Sequence, residues 1–120
     1  MTILPTDLSS VISGILTLGA HGGEQIFLPK VHAILYQMKP HHRLLAGIWF
    51  SIAGSVCYSR DVENVIRDLS LRGVLRIENG SIAVVKNAGA LRNLLRARLP
   101  VRQYKKIMAA SRKFYALLRG

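Results

Sequence analysis

Apolar residues return every three or four positions in five stretches of the chain, and each stretch carries helix boundary signals. Leu8, Val11, Ile12, Ile15 and Leu18 share one face of a predicted first helix, with Thr6 or Asp7 placed to cap it. Gly19 to Gly23 breaks that pattern and reads as a hinge. A second helix fits Leu28 to Lys39, with Pro29 in its first turn, Pro40 at its end and Val31, Ile34, Leu35 and Met38 as its stripe. Ser59 is a good N-cap for a third, in which Asp61 and Glu63 favour the positive helix start, Val62, Val65, Ile66 and Leu69 form the apolar stripe, and Gly73 stops it. Past Asn87 and Gly89 a fourth places Leu91, Leu94 and Leu95 on one side, and Pro100 ends it. The fifth, Val101 to Leu118, carries Tyr104, Ile107, Met108, Tyr115 and Leu118 on one face.

Two regions have a different rhythm. Gly47 to Ala53, with Ile48, Trp49, Phe50 and Ile52, predicts an extended segment, although the neighbouring leucines would also suit a buried helix. Val74 to Glu78 and Ser81 to Lys86 are short apolar runs joined by Asn79-Gly80, the pair that a type I′ hairpin turn requires. The expected class is mainly α with a small β-hairpin.

The order helix, helix, extended segment, Ser-capped helix, hairpin resembles a winged helix-turn-helix DNA-binding domain. The resemblance is carried by Tyr58-Ser59-Arg60-Asp61-Val62 through Leu69, by Gly73-Val74-Leu75 and by Asn79-Gly80, over roughly residues 25 to 86. The tyrosine-serine helix entry, preceded by the helix start at Leu28-Pro29-Lys30, is also similar to the Panacea-domain antitoxins and their relatives. The resemblance implies that the third helix enters the major groove, where Arg60, Asn64 and Arg67 share a face and can read guanine and adenine edges. It further implies a wing that touches DNA, with Arg76 and Lys86 flanking an uncharged tip. The pattern departs from the family in one respect: about 20 residues separate Lys39 from Ser59, where a short turn is usual. Against base reading stand Glu63, one turn before Arg67 and able to pair with it, and Asp61 and Asp68, which would oppose phosphate.

Charge sharpens the picture. Seventeen Lys and Arg against six Asp and Glu give a formal net charge of +11, a field that attracts phosphate backbones or anionic lipid. The last acid is Glu78; beyond it come Lys86, Arg92, Arg96, Arg98, Arg102, Lys105, Lys106, Arg112, Lys113 and Arg119. The sequence therefore divides into a winged-helix-like domain over residues 1–87 and a basic C-terminal helical extension over 88–120. Arg92, Arg96, Arg102, Lys105, Lys106, Arg112 and Lys113 join Arg60, Asn64, Arg67, Arg76 and Lys86 as the candidate nucleic-acid-binding set. The rivals for the basic face are a merely solvated surface and an interfacial membrane helix with Phe114 and Tyr115 at the lipid boundary.

Other chemistry finds little support. His21, His32, His41 and His42 with Cys57 lack the short spacings of a structural zinc site, so no metal or other cofactor is expected. No nucleophile-base pair or glycine-rich phosphate loop stands at a recognisable spacing, so no enzyme activity and no small-molecule substrate are expected. The uncharged run Leu44 to Val56 has 13 residues, against the roughly 20 that cross a bilayer. The N-terminus lacks a basic segment ahead of an apolar run, and a single cysteine fits a reducing compartment, which together predict a cytoplasmic protein without a membrane partner. Half the residues are hydrophobic, and the first helix has a face that a small core leaves open, so a homodimer is expected. The expectation is a duplex-DNA-binding transcription regulator, with a protein-interaction module (antitoxin-like or a complex subunit) and an RNA-binding protein as the alternatives.

Overall fold

The structure, a computed structural model, describes residues 7–20, 24–85 and 88–120. The chain is mainly helical with small antiparallel sheets. Helix α1 (Leu8–Thr17) starts at Asp7, whose carboxylate accepts the Ser10 amide at 2.7 Å. A short strand β1 (Gln25–Phe27) runs directly into α2 (Leu28–Met38), with Pro29 in the first turn where no amide partner is missed. Two 3-10 turns, Lys39–His41 and Arg43–Leu45, lead to a hairpin of β2 (Ser51–Ala53) and β3 (Val56–Tyr58). Helix α3 (Arg60–Leu71) follows, capped by the Ser59 hydroxyl on the Val62 amide at 3.3 Å and stopped at Gly73, whose φ is 77°.

Strands β4 (Leu75–Glu78) and β5 (Ser81–Val84) form the predicted hairpin, and Asn79 and Gly80 at its tip have φ of 52° and 78°. Positive φ at both central positions is the type I′ signature. Strand β1 adds antiparallel to β5, giving the order β1-β5-β4. Sequence patterning misses β1 because three residues, only Ile26 of which is buried, are too short to show an alternation. It also reaches too far at Gly47 to Ala53: the Ile48 amide on the Leu45 carbonyl closes a turn over Ala46 and Gly47, and the strand begins only at Ser51.

The last two helices, α4 (Ala88–Arg98) and α5 (Val101–Arg119), are divided at Pro100 as expected. They share the core of the preceding elements: Ala88, Ile107, Ala110, Phe114 and Tyr115 pack in one cluster with Ile12, Leu35, Val62 and Ile82. Residues 88–120 thus have no separate core. Helix α1 is the centre of the molecule, with every residue from Val11 to Leu18 buried and with α3, α4 and α5 packed around it. The apolar face of α1, expected to be open for self-association, is therefore covered by the chain itself. Helices α1 and α5 approach so closely that a Cβ on Gly14 would overlap Ile107 Cγ2.

The carboxyl end of α1 is finished by side chains from the last two helices. A helix leaves its last four carbonyls without intrahelical donors. Here Ser111 Oγ donates to the Ile15 carbonyl at 2.6 Å, Tyr115 Oη to Leu16 at 2.5 Å, and Arg92 through Nε and Nη2 to Thr17 at 3.1 and 2.8 Å. The Arg92 cation also suits the negative end of the helix dipole.

Candidate nucleic-acid interface

Helix α5 separates its two faces sharply. Ile107, Ala110, Ser111, Phe114 and Tyr115 point into the core, while Arg102, Lys105, Lys106, Arg112 and Lys113 are exposed on the other side, as their spacing along a 3.6-residue helix dictates. Phe114 and Tyr115, which the rival interfacial-helix reading set at a lipid boundary, are both buried in the core. No described helix is long and apolar enough to cross a membrane.

What sets the α5 face apart is the disposition of the acids. Glu63, Asp68, Glu78 and Glu24 pair with Arg67, Arg72, Arg76 and Arg119. Asp7 caps α1, and Asp61 accepts the Trp49 amide at 3.0 Å. All six acids of the chain are thus engaged elsewhere. Among the described residues, Arg102, Lys105, Lys106, Arg112 and Lys113 have no ion pair, nor have Arg96 and Arg98 on α4.

The residues expected to read bases share one exposed face, and the acids that stood against that reading lie among them. Arg60, Asn64 and Arg67 lie together on the exposed side of α3, beside Leu71, which is 83% exposed. Three bases (Arg60 and Arg67 on the helix and Arg72 at its C-cap) meet the three acids Asp61, Glu63 and Asp68, and two of those bases are paired, Arg67 with Glu63 at 3.4 Å and Arg72 with Asp68 at 3.1 Å. Arg76 on the wing pairs with Glu78 at 3.6 Å, and Lys86 lies outside the described residues. Arg92 is half-buried and committed to the end of α1, so it does not belong to the open cationic surface. Helices α3 and α5 each pack chiefly on α1 rather than on each other, so the candidates divide into two surfaces.

Sequence reasoning misses a third contribution. His41, His42 and Arg43, of which only the histidines suggest any chemistry and then only as metal ligands, lie where the two 3-10 turns meet; all three line one cleft with Lys106, and the two histidines line a second with Lys113. The pKa of His42 is held below the usual imidazole value by burial first, then by neighbouring His41 and Lys113. His32 plays another part: it is buried against Tyr58 with ring centroids 5.1 Å apart, and its Nδ1 accepts the Ser59 amide at 3.0 Å. Burial lowers its pKa, opposed by Glu63, so it serves as a neutral acceptor in the core. The thiol of Cys57 faces a pocket with Leu28, His32, Tyr58 and Ile66, and burial pushes its pKa up, away from the thiolate a nucleophile needs.

No protein-family model, curated protein or solved structure matches this chain.

Proposed function

We propose that this protein binds duplex DNA as a winged-helix-like regulator, and that its anchor is the cationic face of α5. The observation that carries this reading is that every carboxylate side chain is engaged elsewhere while five exposed Lys and Arg on one helix face have no ion pair among the described residues. Such a face releases condensed counterions from any nucleic-acid backbone, whatever its sequence. The winged-helix part is supported by the order α1-β1-α2-α3-β4-β5 and by the sheet order β1-β5-β4, which set α3 against a two-stranded wing. The β2–β3 hairpin then accounts for the long connection between α2 and α3. Charge balance on α3 assigns it, at most, sequence preference rather than affinity.

Fluorescence anisotropy with a labelled duplex across a salt series tests the assignment. Replacing Lys105, Lys106, Arg112 and Lys113 with alanine should weaken binding to all sequences and flatten the slope of log affinity against log salt by about 0.9 for each phosphate no longer neutralised. Replacing Arg60, Asn64 and Arg67 should erode preference among sequences and leave nonspecific affinity closer to intact. An unaltered slope in the α5 variant refutes the anchor. Binding of single-stranded RNA in preference to the duplex would move the assignment to RNA.

A second reading, a protein-interaction module, is favoured by a different surface. Trp49, Ile52 and Val56 are 75%, 56% and 63% exposed around the β2–β3 hairpin, beyond what a solvated turn needs. A cytoplasmic homodimer using this hairpin, rather than α1, is compatible with either reading, and sedimentation at micromolar concentration distinguishes it from a monomer.

A further inference from the structure

The clefts between the 3-10 turns and α5 have the makings of a discrete anion site. The turn segment is pinned rather than loose: Leu45 and Ile48 are fully buried, and Lys39 Nζ donates to the Ile48 carbonyl at 2.7 Å while lying over the Phe50 ring. Arg43 and the two histidines are thereby presented from a fixed backbone toward α5. On the facing helix, Gln103, Lys106 and Lys113 recur along one edge of the cationic face. The first cleft, of about 520 Å³, lies among His41, His42, Arg43, Gln103 and Lys106; the second lies among His41, His42 and Lys113. Among the described residues, no carboxylate lines either one. Gln103 lines the first cleft, and its amide oxygen is buried without a hydrogen-bond partner among the described residues.

We propose that the first cleft binds a phosphate group between Arg43 on the turn and Lys106 on α5, with Lys113 adding charge from the adjoining cleft and His42, which lines both, as a donor that takes up a proton when the anion enters. The guanidinium fork supplies paired donors to phosphate oxygens, and the two ammonium groups supply charge from the other side. The groups facing His42 are His41 and Arg43 on its own segment and Lys106 and Lys113 on α5; α2 contributes only the uncharged Gln37 and Met38. Burial first, and then the positive groups around it, hold the pKa of His42 down, and no described carboxylate lines the clefts to offset them. An incoming phosphate reverses that balance and raises the pKa of His42. The sign follows: affinity strengthens as pH falls toward and below the ordinary imidazole value, by at most about tenfold per pH unit for uptake of one proton. The phosphate is either that of a nucleic-acid backbone or that of a free polyphosphate, since both present the same oxygens. This inference deepens the α5 assignment by adding a pinned second wall to it, but it stands on its own cleft.

Titration calorimetry with inorganic tripolyphosphate, repeated from pH 6 to 8, tests it, alongside the duplex titration at the same pH values. Tighter binding at low pH, weakened about tenfold in Arg43→Ala and in Lys106→Ala, flattened in pH dependence by His42→Asn and unmoved in Lys30→Ala, is the expected result. The same pattern for the duplex alone, without tripolyphosphate binding, assigns the site to the nucleic-acid backbone and also supports it. Tripolyphosphate binding that ignores Arg43, Lys106 and pH overturns the site. Duplex binding that depends on Lys105 and Arg112 but is indifferent to Arg43, His42 and pH overturns it too, and leaves the α5 anchor standing.

Discussion

Ser111 tests the claim that the C-terminal helices complete the core. Its hydroxyl is fully buried, donates to the Ile15 carbonyl at 2.6 Å and accepts the Gly19 amide at 2.8 Å, so one oxygen serves two backbone groups at the end of α1. Gly19 approaches so closely that a Cβ there would meet Ser111 Oγ at 3.0 Å. Ser111→Ala removes a single atom, and the gap is too small to admit a water that could restore the bonds. A buried donor and a buried acceptor are then unsatisfied, at about 1–3 kcal/mol apiece, which sums to about 3 kcal/mol after allowing for the partial exposure of Gly19. For a domain of this size that lowers Tm by roughly 10–15 °C. Urea and thermal melts followed by circular dichroism read the change, with the exposed neighbour Arg112→Ala expected within about 0.5 kcal/mol of the parent. A Ser111→Ala protein within that same margin, at unchanged dependence on urea, would show that α5 does not cap α1 and that residues 88–120 pack elsewhere.

Arg92→Met should destabilise by about 1.5–3 kcal/mol, since the Thr17 carbonyl loses a charged donor, yet leave duplex affinity close to that of the parent; a large affinity loss in a stable variant would return Arg92 to the binding surface. Gly80→Val should lower stability by about 1 kcal/mol or more through the positive φ alone, because the added Cβ meets Phe27 only at an ordinary 3.8 Å. His32 has a lowered folded pKa, so its contribution is complete above the unfolded imidazole value of about 6.5 and is lost as pH falls; stability measured between pH 7.5 and 5 should decline, and less so in His32→Gln. Tyr115 has a raised pKa, chiefly from burial, so its contribution holds below the ordinary phenol value of about 10 and fades above it; alkaline melts should show a drop that Tyr115→Phe reduces.

Most helices of this fold are legible because each begins and ends on a strong local signal. Asp7 and Ser59 cap as their side-chain chemistry dictates, Pro29, Pro40 and Pro100 fall at boundaries, and Asn79-Gly80 turns as that pair must. The three-residue β1 is invisible for the opposite reason: its identity comes from β5, some 55 residues away, whose open edge it fills. The face of α1 misleads because amphipathicity specifies that a stripe is buried, not what buries it. Likewise Arg92, Ser111 and Tyr115 read as a surface cation and ordinary helix residues, since their partners are carbonyls that any sequence possesses. The exposed cations of α5 are legible in full, because a run of bases without acids after Glu78 needs no partner to be recognised.

The two faces of α5 place opposite demands on the chain. Its buried face supplies hydrogen bonds and apolar area to α1. Its outer face sets Arg102 one turn before Lys106 and carries Lys105, Arg112 and Lys113 alongside, an arrangement in which each like-charge neighbour pair costs about 0.2–0.5 kcal/mol. No carboxylate side chain offsets that repulsion, because the six acids are engaged in caps and in pairs elsewhere. The compensating charge must come from solvent ions or from a bound polyanion, and a polyanion does so with a gain in counterion entropy. A ligand at a hundred times its Kd would stabilise the folded protein by about 2.7 kcal/mol. The quadruple alanine variant of α5 should therefore be at least as stable as the parent on its own, and should gain less from added duplex. On the proposed function, stability and binding are thus separable on a single helix: substitutions on the inner face should unfold the protein, and substitutions on the outer face should weaken duplex binding and leave the fold intact.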